Sequence, residues 1–232
     1  MASNIDFYVA SQYTLFGIPR CGNGVPILGI PMEDTVSFRP GTRFAPGVIR
    51  AWSQYFEFTP TEDLGIDPLS KACDLGDTSL LQGMVEKNLE RINSVVGEAI
   101  SKWGRVVSIG GEHTLSLGVA KAVRESLGSY GIYIHVDAHL DSREEWPVGQ
   151  KLSHATFVRH IVNEVGPQAI AFIGFRSYDK DEVNFVRGLE NSLLLPTRDV
   201  KLMSEHELRL LIRGLIDSYP GPIHLSIDVD VL

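Results

Sequence analysis

The sequence predicts an open α/β fold built around a parallel sheet, and three observations lead there. Short apolar, β-branched runs recur at 26–30 (PILGI), 105–109 (RVVSI), 132–136 (IYIHV), 169–173 (AIAFI) and 223–229 (IHLSIDV). Helix-like segments lie between them. Polar clusters rich in aspartate and histidine follow the runs at 105–109 and 132–136, and a third closes the run at 223–229.

None of the apolar runs alternates strictly, as expected of strands buried on both faces of a parallel sheet. Among the helical segments, Leu81, Met84, Val85, Leu89, Ile92, Val96, Ile100 and Trp103 recur at three- and four-residue spacing and predict one apolar stripe. Ser204 and Glu207 form an S-x-x-E capping box ahead of Leu208, Leu211, Ile212 and Leu215. Segments 114–127, 154–165 and 180–189 are also expected to be helical. Strands alternating with helices imply βαβ units with right-handed crossovers, and helices on both faces of the sheet.

The bulk properties exclude several classes. A chain of 232 residues, 44% hydrophobic and 22% charged, suits one soluble globular domain with a sizeable core. The net charge of −8, from 21 basic and 29 acidic residues, argues against nucleic acid as a partner and tolerates a cationic substrate. No basic, then apolar leader opens the chain. No stretch reaches the ~18 apolar residues of a membrane span. A cytoplasmic protein without a membrane partner is expected. Two cysteines, Cys21 and Cys73, are too few for a disulfide framework and are expected to be reduced thiols.

In an open α/β sheet, ligands bind at the carboxyl ends of the strands. SIGGEH ends the second run, HVDAHLD the third, and SIDVD the last. In an extended chain, Asp137, His139 and Asp141 would share a face, as would Asp228 and Asp230. Such groups repel one another unless a cation binds them. The candidate ligands are therefore His113, Asp137, His139, Asp141, Asp228 and Asp230. Six ligands without a thiolate exceed the needs of one open site and suit two hard ions sharing carboxylates, with the imidazoles favouring manganese over magnesium. Gly110 and Gly111 would make the tight turn that carries His113 over the sheet edge. His135 and His224, inside the strand runs, are expected to pack in the core, and His206 to lie on a helix surface.

GGEHTLSLG, HVDAHLDSREEW, KLSHATFVRH and HLSIDVDVL, together with FRPGTRFAPGVIR at 38–50, resemble the ureohydrolases: arginases, agmatinases and their relatives. The likeness runs from about residue 26 to Leu232 with the motifs in the family's order. It implies a three-layer α/β/α sandwich with a central parallel sheet, two Mn2+ ions, and hydrolysis of a guanidinium group to urea and an amine. His113, Asp137, Asp141 and Asp228 would hold one ion. His139 and Asp230 would hold the other, with Asp137 and Asp228 bridging. His154, in LSHAT, matches the family's proton-shuttling histidine, so His154 and Asp141 are the expected catalytic residues. Glu112 stands where many relatives carry aspartate, outside the ligand positions. The resemblance also implies a trimeric or hexameric homo-oligomer.

Asp141 is followed by Ser142 and Arg143, not by the asparagine that helps arginases to read the substrate carboxylate. The pattern looks closer to the agmatinases, whose product putrescine belongs to polyamine biosynthesis. Glu144 or Glu145 is a candidate partner for the distal ammonium of such a small cationic guanidino substrate. Arg39 and Arg43 would order an entrance loop or a subunit contact. The alternatives are another guanidino substrate, such as arginine or guanidinobutyrate, and a non-catalytic metal- or polyamine-binding protein on the same fold. The expected organisation is one arginase-like domain over residues 1–232 lacking the family's C-terminal segment, which carries a guanidinium-gripping glutamate.

Overall fold

A computed structural model describes residues 3–56 and 67–232. The chain divides into two compact units, residues 1–122 and 123–232. The boundary falls within helix Leu115–Leu127.

The first unit contains, in order, α1 (Asn4–Tyr8), β1 (Val9–Ala10), β2 (Val25–Ile30), α2 (Ala45–Ser53), β3 (Ala72–Thr78), α3 (Val85–Trp103), β4 (Val107–Gly110) and the start of α4 (Leu115–Leu127). Its sheet has the order β1-β3-β2-β4; β1 is antiparallel to β3 and the other pairings are parallel. The predicted apolar stripe is α3, which buries Leu89, Ile92, Val95, Val96, Ala99 and Ile100. Each of the leucine, isoleucine and valine side chains, fully removed from water, contributes about 1.5–3 kcal/mol. Gly104 stops the helix in the left-handed conformation, its N–H donating to the Ile100 carbonyl. Leu81 and Met84 precede the first turn and remain exposed.

β3 reads ACDLGDT, with Asp74 wholly buried. Arg50 of α2, also wholly buried, resolves that apparent contradiction. Its Nε and Nη2 donate to the two Asp74 oxygens at 2.8 and 3.0 Å, and its Nη1 reaches Asp77. Asp74 further accepts the Leu15 and Gly76 N–H groups, at 2.7 and 2.8 Å. A buried charge survives when its lone pairs are filled in this way.

The expectation of two reduced cysteines is corrected: Cys21 and Cys73 form a disulfide. Asp74 N–H donates to the Pro19 carbonyl, and Cys21 N–H to the Asp74 carbonyl. That ladder, extending β3 beside the segment before β2, brings the two Cα atoms to 4.7 Å, within bonding range. Sequence spacing alone carries no trace of such a pairing.

The second unit contains β5 (Ile132–Val136), α5 (Phe157–His160), β6 (Ala169–Ile173), α6 (Lys180–Arg187), β7 (Ser192–Leu195), α7 (Thr197–Leu202), α8 (Glu205–Ser218) and β8 (Ile223–Ile227). Its sheet, β7-β6-β5-β8, is parallel throughout. On one face, Ile132, Ile134, Ala169, Ala171, Ile173 and Leu195 pack against Val200 of α7 and Leu208, Ile212 and Leu215 of α8. On the other, the His135 ring lies against Phe157 of α5 and Phe172 of β6. Ser204 and Glu207 cap α8 as the sequence predicts. The predicted helix over 154–165 is shorter: one α turn at Phe157–His160 passes into a π turn at Ile161–Val165, which Gly166 ends.

Among the described residues, no helix is long and apolar enough to cross a membrane.

Candidate metal centre

β5 ends at Val136, and the chain beyond it is not extended. The expectation that Asp137, His139 and Asp141 share one strand face is corrected, because the alternation rule lapses where the strand stops. Asp137 Oδ1 instead accepts the His139 N–H at 2.7 Å, folding the chain into a tight turn. Asp141 has a φ of 46°, in the left-handed region. β8 likewise ends at Ile227, and Val229–Val231 form a 3-10 turn with Asp228 as its cap. Asp228 Oδ1 accepts the Asp230 N–H at 3.0 Å. Turns, not strand alternation, therefore aim these side chains.

The result is a cluster at the carboxyl ends of neighbouring strands β5 and β8. Ligand-capable atoms of Asp137, His139 and Asp230 all lie within 4.8 Å of one another. His139 Nδ1 is 3.4 Å from Asp137 Oδ1 and 3.1 Å from Asp230 Oδ2. The Ala138 N–H donates to Asp230 Oδ1 at 3.2 Å, tying the two turns together. Asp137 is almost fully buried, whereas His139 and Asp230 face solvent. Asp141 is buried beside them, and its charge adds to the field at His139.

The acidic groups and the imidazole of this cluster act on one another. Burial and the charges of Asp228 and Asp137 push the Asp230 carboxyl upward. The hydrogen bond to Asp137, opposed by burial and helped by the charges of Asp230 and Asp141, raises the His139 imidazole to about 9. The donor set consists of carboxylate oxygens and an imidazole nitrogen without thiolate, and it fits a hard or borderline divalent cation.

His135 was expected to serve packing alone. It is buried, but its Nε2 lies 3.3 Å from Asp137 Oδ2 and its Nδ1 is 3.2 Å from the Tyr133 hydroxyl. Its alternation with Asp137 was the signal available in the sequence, and its depth in the strand masked it. His154 is half-buried in the turn that leads into α5, where the Ser153 carbonyl accepts the Thr156 and Phe157 N–H groups. His113 belongs to the first unit, two residues before α4, with its carbonyl accepting the Ser116 N–H at 3.0 Å.

Two expectations about glycine and the acidic pair are revised. Gly110 and Gly111 are absent from the positive-φ positions. Gly111 is needed because a Cβ there would stand 2.1 Å from the Met32 carbonyl oxygen. Glu144 and Glu145 already hold an ammonium: Lys151 Nζ lies 3.1 and 3.4 Å from them. Of the two arginines in FRPGTR, Arg43 orders its loop by pairing with Glu33 at 3.3 Å, and Glu33 also accepts the Gly41 N–H.

Comparison with known proteins places the chain among the metal-dependent amidinohydrolases of the ureohydrolase type. Residues 23–232 match the model of the Arginase family, and the chain belongs to that family. It is 32% identical over 208 residues to the agmatinase of Halalkalibacterium halodurans, covering 89% of this chain and 68% of that protein. It is 31% identical over 209 residues to the N(1)-aminopropylagmatine ureohydrolase of Thermococcus kodakarensis, covering 88% of this chain and 66% of that one. The structure of proclavaminate amidinohydrolase from Streptomyces clavuligerus superposes with a TM-score of 0.84 at 25% identity, covering 97% of this chain and 76% of that chain. Arginase from Bacillus cereus shares the fold, with a TM-score of 0.69 at 22% identity over 89% of this chain and 75% of that chain.

Proposed function

We propose that this ureohydrolase cleaves agmatine to urea and putrescine at a centre of two manganese ions. The observation that carries the reading is the meeting of Asp137, His139 and Asp230 at the ends of β5 and β8. Asp141 and Asp228 extend that donor set, and His113 completes the family's six positions. When bound, the ions supply Lewis acidity and a water acidic enough to ionise near neutral pH.

The residues of the chain do the rest. Asp137, buried and fixed by the His139 N–H, is the rigid member of the set. Asp141 would act as ligand and orient the attacking water towards the guanidinium carbon. That carbon is a resistant electrophile because its cation is resonance-stabilised and always protonated. His154 would deliver a proton to the leaving amine, as a positioned imidazole does in general acid catalysis. Homo-oligomerisation belongs to the same proposal and rests on the family likeness.

A second substrate reading has specific support. Lys151 already pairs with one oxygen of each of Glu144 and Glu145, so a substrate ammonium would share that pair with it. A longer polyamine-bearing guanidine, like the one named for the Thermococcus kodakarensis relative, would compete with Lys151 through more than one ammonium. Urea release from agmatine, N(1)-aminopropylagmatine, arginine and 4-guanidinobutyrate, measured in parallel on manganese-loaded protein, separates these readings. Agmatine should give the highest kcat/KM. Preference for either carboxylate-bearing compound would overturn the agmatine assignment, and no urea from any of the four would overturn the enzyme reading.

A further inference from the structure

We propose that Glu182 of α6 is a positioning residue that sets the Asp141 side chain by clamping the peptide behind it. The inference rests on Asp141 being a metal ligand. Asp141 adopts a φ of 46°, uncommon for a residue with a Cβ although aspartate reaches it more readily than most. The conformation is held through one peptide unit. The Asp141 carbonyl accepts the Val158 N–H at 3.1 Å, and the Ser142 N–H at the other end of the same plane donates to Glu182 Oε1 at 3.2 Å. A peptide gripped at both ends cannot flip, and its orientation fixes the direction in which Asp141 leaves the backbone. Arg159 Nε, donating to the Ser142 carbonyl at 2.5 Å, and the Arg143 N–H, donating to Ala155 at 3.0 Å, hold the following residues.

The comparison with α8 shows that Glu182 does more than cap a helix. Both helices begin with a capping box. In α8, Glu207 is exposed and its hydrogen bonds stay within the box, to Ser204. In α6, Glu182 is only 3% exposed. Its Oε2 accepts the Asp179 N–H at 3.0 Å, completing the box, while its other oxygen crosses to Ser142. Capping does not require burial, whereas reaching the peptide beside Asp141 does.

The test is Mn2+ binding, read by the electron paramagnetic resonance signal of the free ion, together with thermal unfolding of the metal-free protein. Asp179→Ala is the control. It removes the hydrogen bonds that Asp179 Oδ1 accepts from Asp181 and Glu182, both 2.9 Å, and its 3.6 Å ion pair with Arg143, and leaves the contact of Glu182 to Ser142 in place. Glu182→Ala should weaken Mn2+ binding about 10–100-fold, the usual effect of removing a group that orients a ligand. Asp179→Ala should lower the melting temperature yet bind Mn2+ within about threefold of the unsubstituted protein. Glu182→Gln, whose carbonyl can still accept from Ser142, should recover most of the affinity. If Glu182→Ala does not fold, Glu182→Asp, which keeps the charge and shortens the reach, should show the same loss. Equal weakening by Asp179→Ala, or unchanged binding in both Glu182→Ala and Glu182→Asp, would overturn the positioning role. Absence of Mn2+ binding by the unsubstituted protein would overturn the metal reading itself, and this role with it.

Discussion

His139 Nδ1 stands 3.1 Å from Asp230 Oδ2, and the two side chains reach each other from turns that follow different strands of one parallel sheet. The turn after β5 buries Ala138 and Leu140. Each turn is folded by an aspartate bonding its own backbone, Asp137 to the His139 N–H and Asp228 to the Asp230 N–H. The aspartates that build the turns are also members of the proposed donor set, so loss of one should disturb both local structure and metal binding.

Asp230→Asn removes one charge while keeping the side-chain shape. Affinity for Mn2+ should fall about tenfold or more, since even groups that only orient ligands are worth that much. In the unsubstituted protein, Mn2+ at a hundred times its Kd should stabilise the fold by about 2.7 kcal/mol, and chelation should reverse this. Thermal unfolding with and without Mn2+ checks both, and an equal metal-dependent rise in the variant would remove Asp230 from the ligand set.

Gly174 follows β6 at a φ of 91°, and a Cβ there would lie 2.5 Å from Val231 Cγ2. Gly174→Ala should therefore combine backbone strain with displacement of the turn that carries Asp230. The expected outcome is destabilisation of about 1 kcal/mol or more and weakened Mn2+ binding. Urea denaturation and metal titration read the two effects separately.

Arg50 and Asp74 are both fully buried and joined by two hydrogen bonds. Arg50→Ala would leave the Asp74 carboxylate without its main partner and should cost about 3–5 kcal/mol, measurable by chemical denaturation. Arg50→Met with Asp74→Leu should cost less, because no charge is left uncompensated.

The same pair gives acid sensitivity a sign. Burial pushes the Asp74 carboxyl up, but the hydrogen bonds from Arg50, Leu15 and Gly76 outweigh it and hold the group below its ordinary value. A carboxyl depressed in the folded state adds stability that is complete above its unfolded value, ~3.9, and is lost as pH falls through the folded one. Asp77, which burial raises, works in the opposite sense. Unfolding free energies measured below about pH 4 should fall less steeply in Asp74→Asn than in the unsubstituted protein.

The parts of the fold legible in the sequence were those in which apolar pattern and local capping agree. The stripe of α3, the Ser204–Glu207 box and strands β2, β5 and β6 are of that kind. β3 was hidden because its buried positions carry Asp74, and only Arg50, in another element, makes that tolerable. α2 was hidden behind Pro46 and Gly47 near its start. At the site, the residue types and their order along the chain were readable, but their aim was not. Extended alternation suggested shared faces, whereas turn hydrogen bonds and the left-handed Asp141 direct the side chains. Contacts made across the chain, such as Glu182 to Ser142 and Cys21 to Cys73, leave no local signature to read.

The most direct measurement titrates metal-free protein with Mn2+ and follows bound metal and urea release from agmatine in the same samples. Urea should appear only as the metal binds and should saturate with it, and Asp137→Ala should abolish both signals. Full Mn2+ occupancy without urea would contradict the agmatine assignment, and urea release that persists in Asp137→Ala would show that this cluster is not where the guanidinium is hydrolysed.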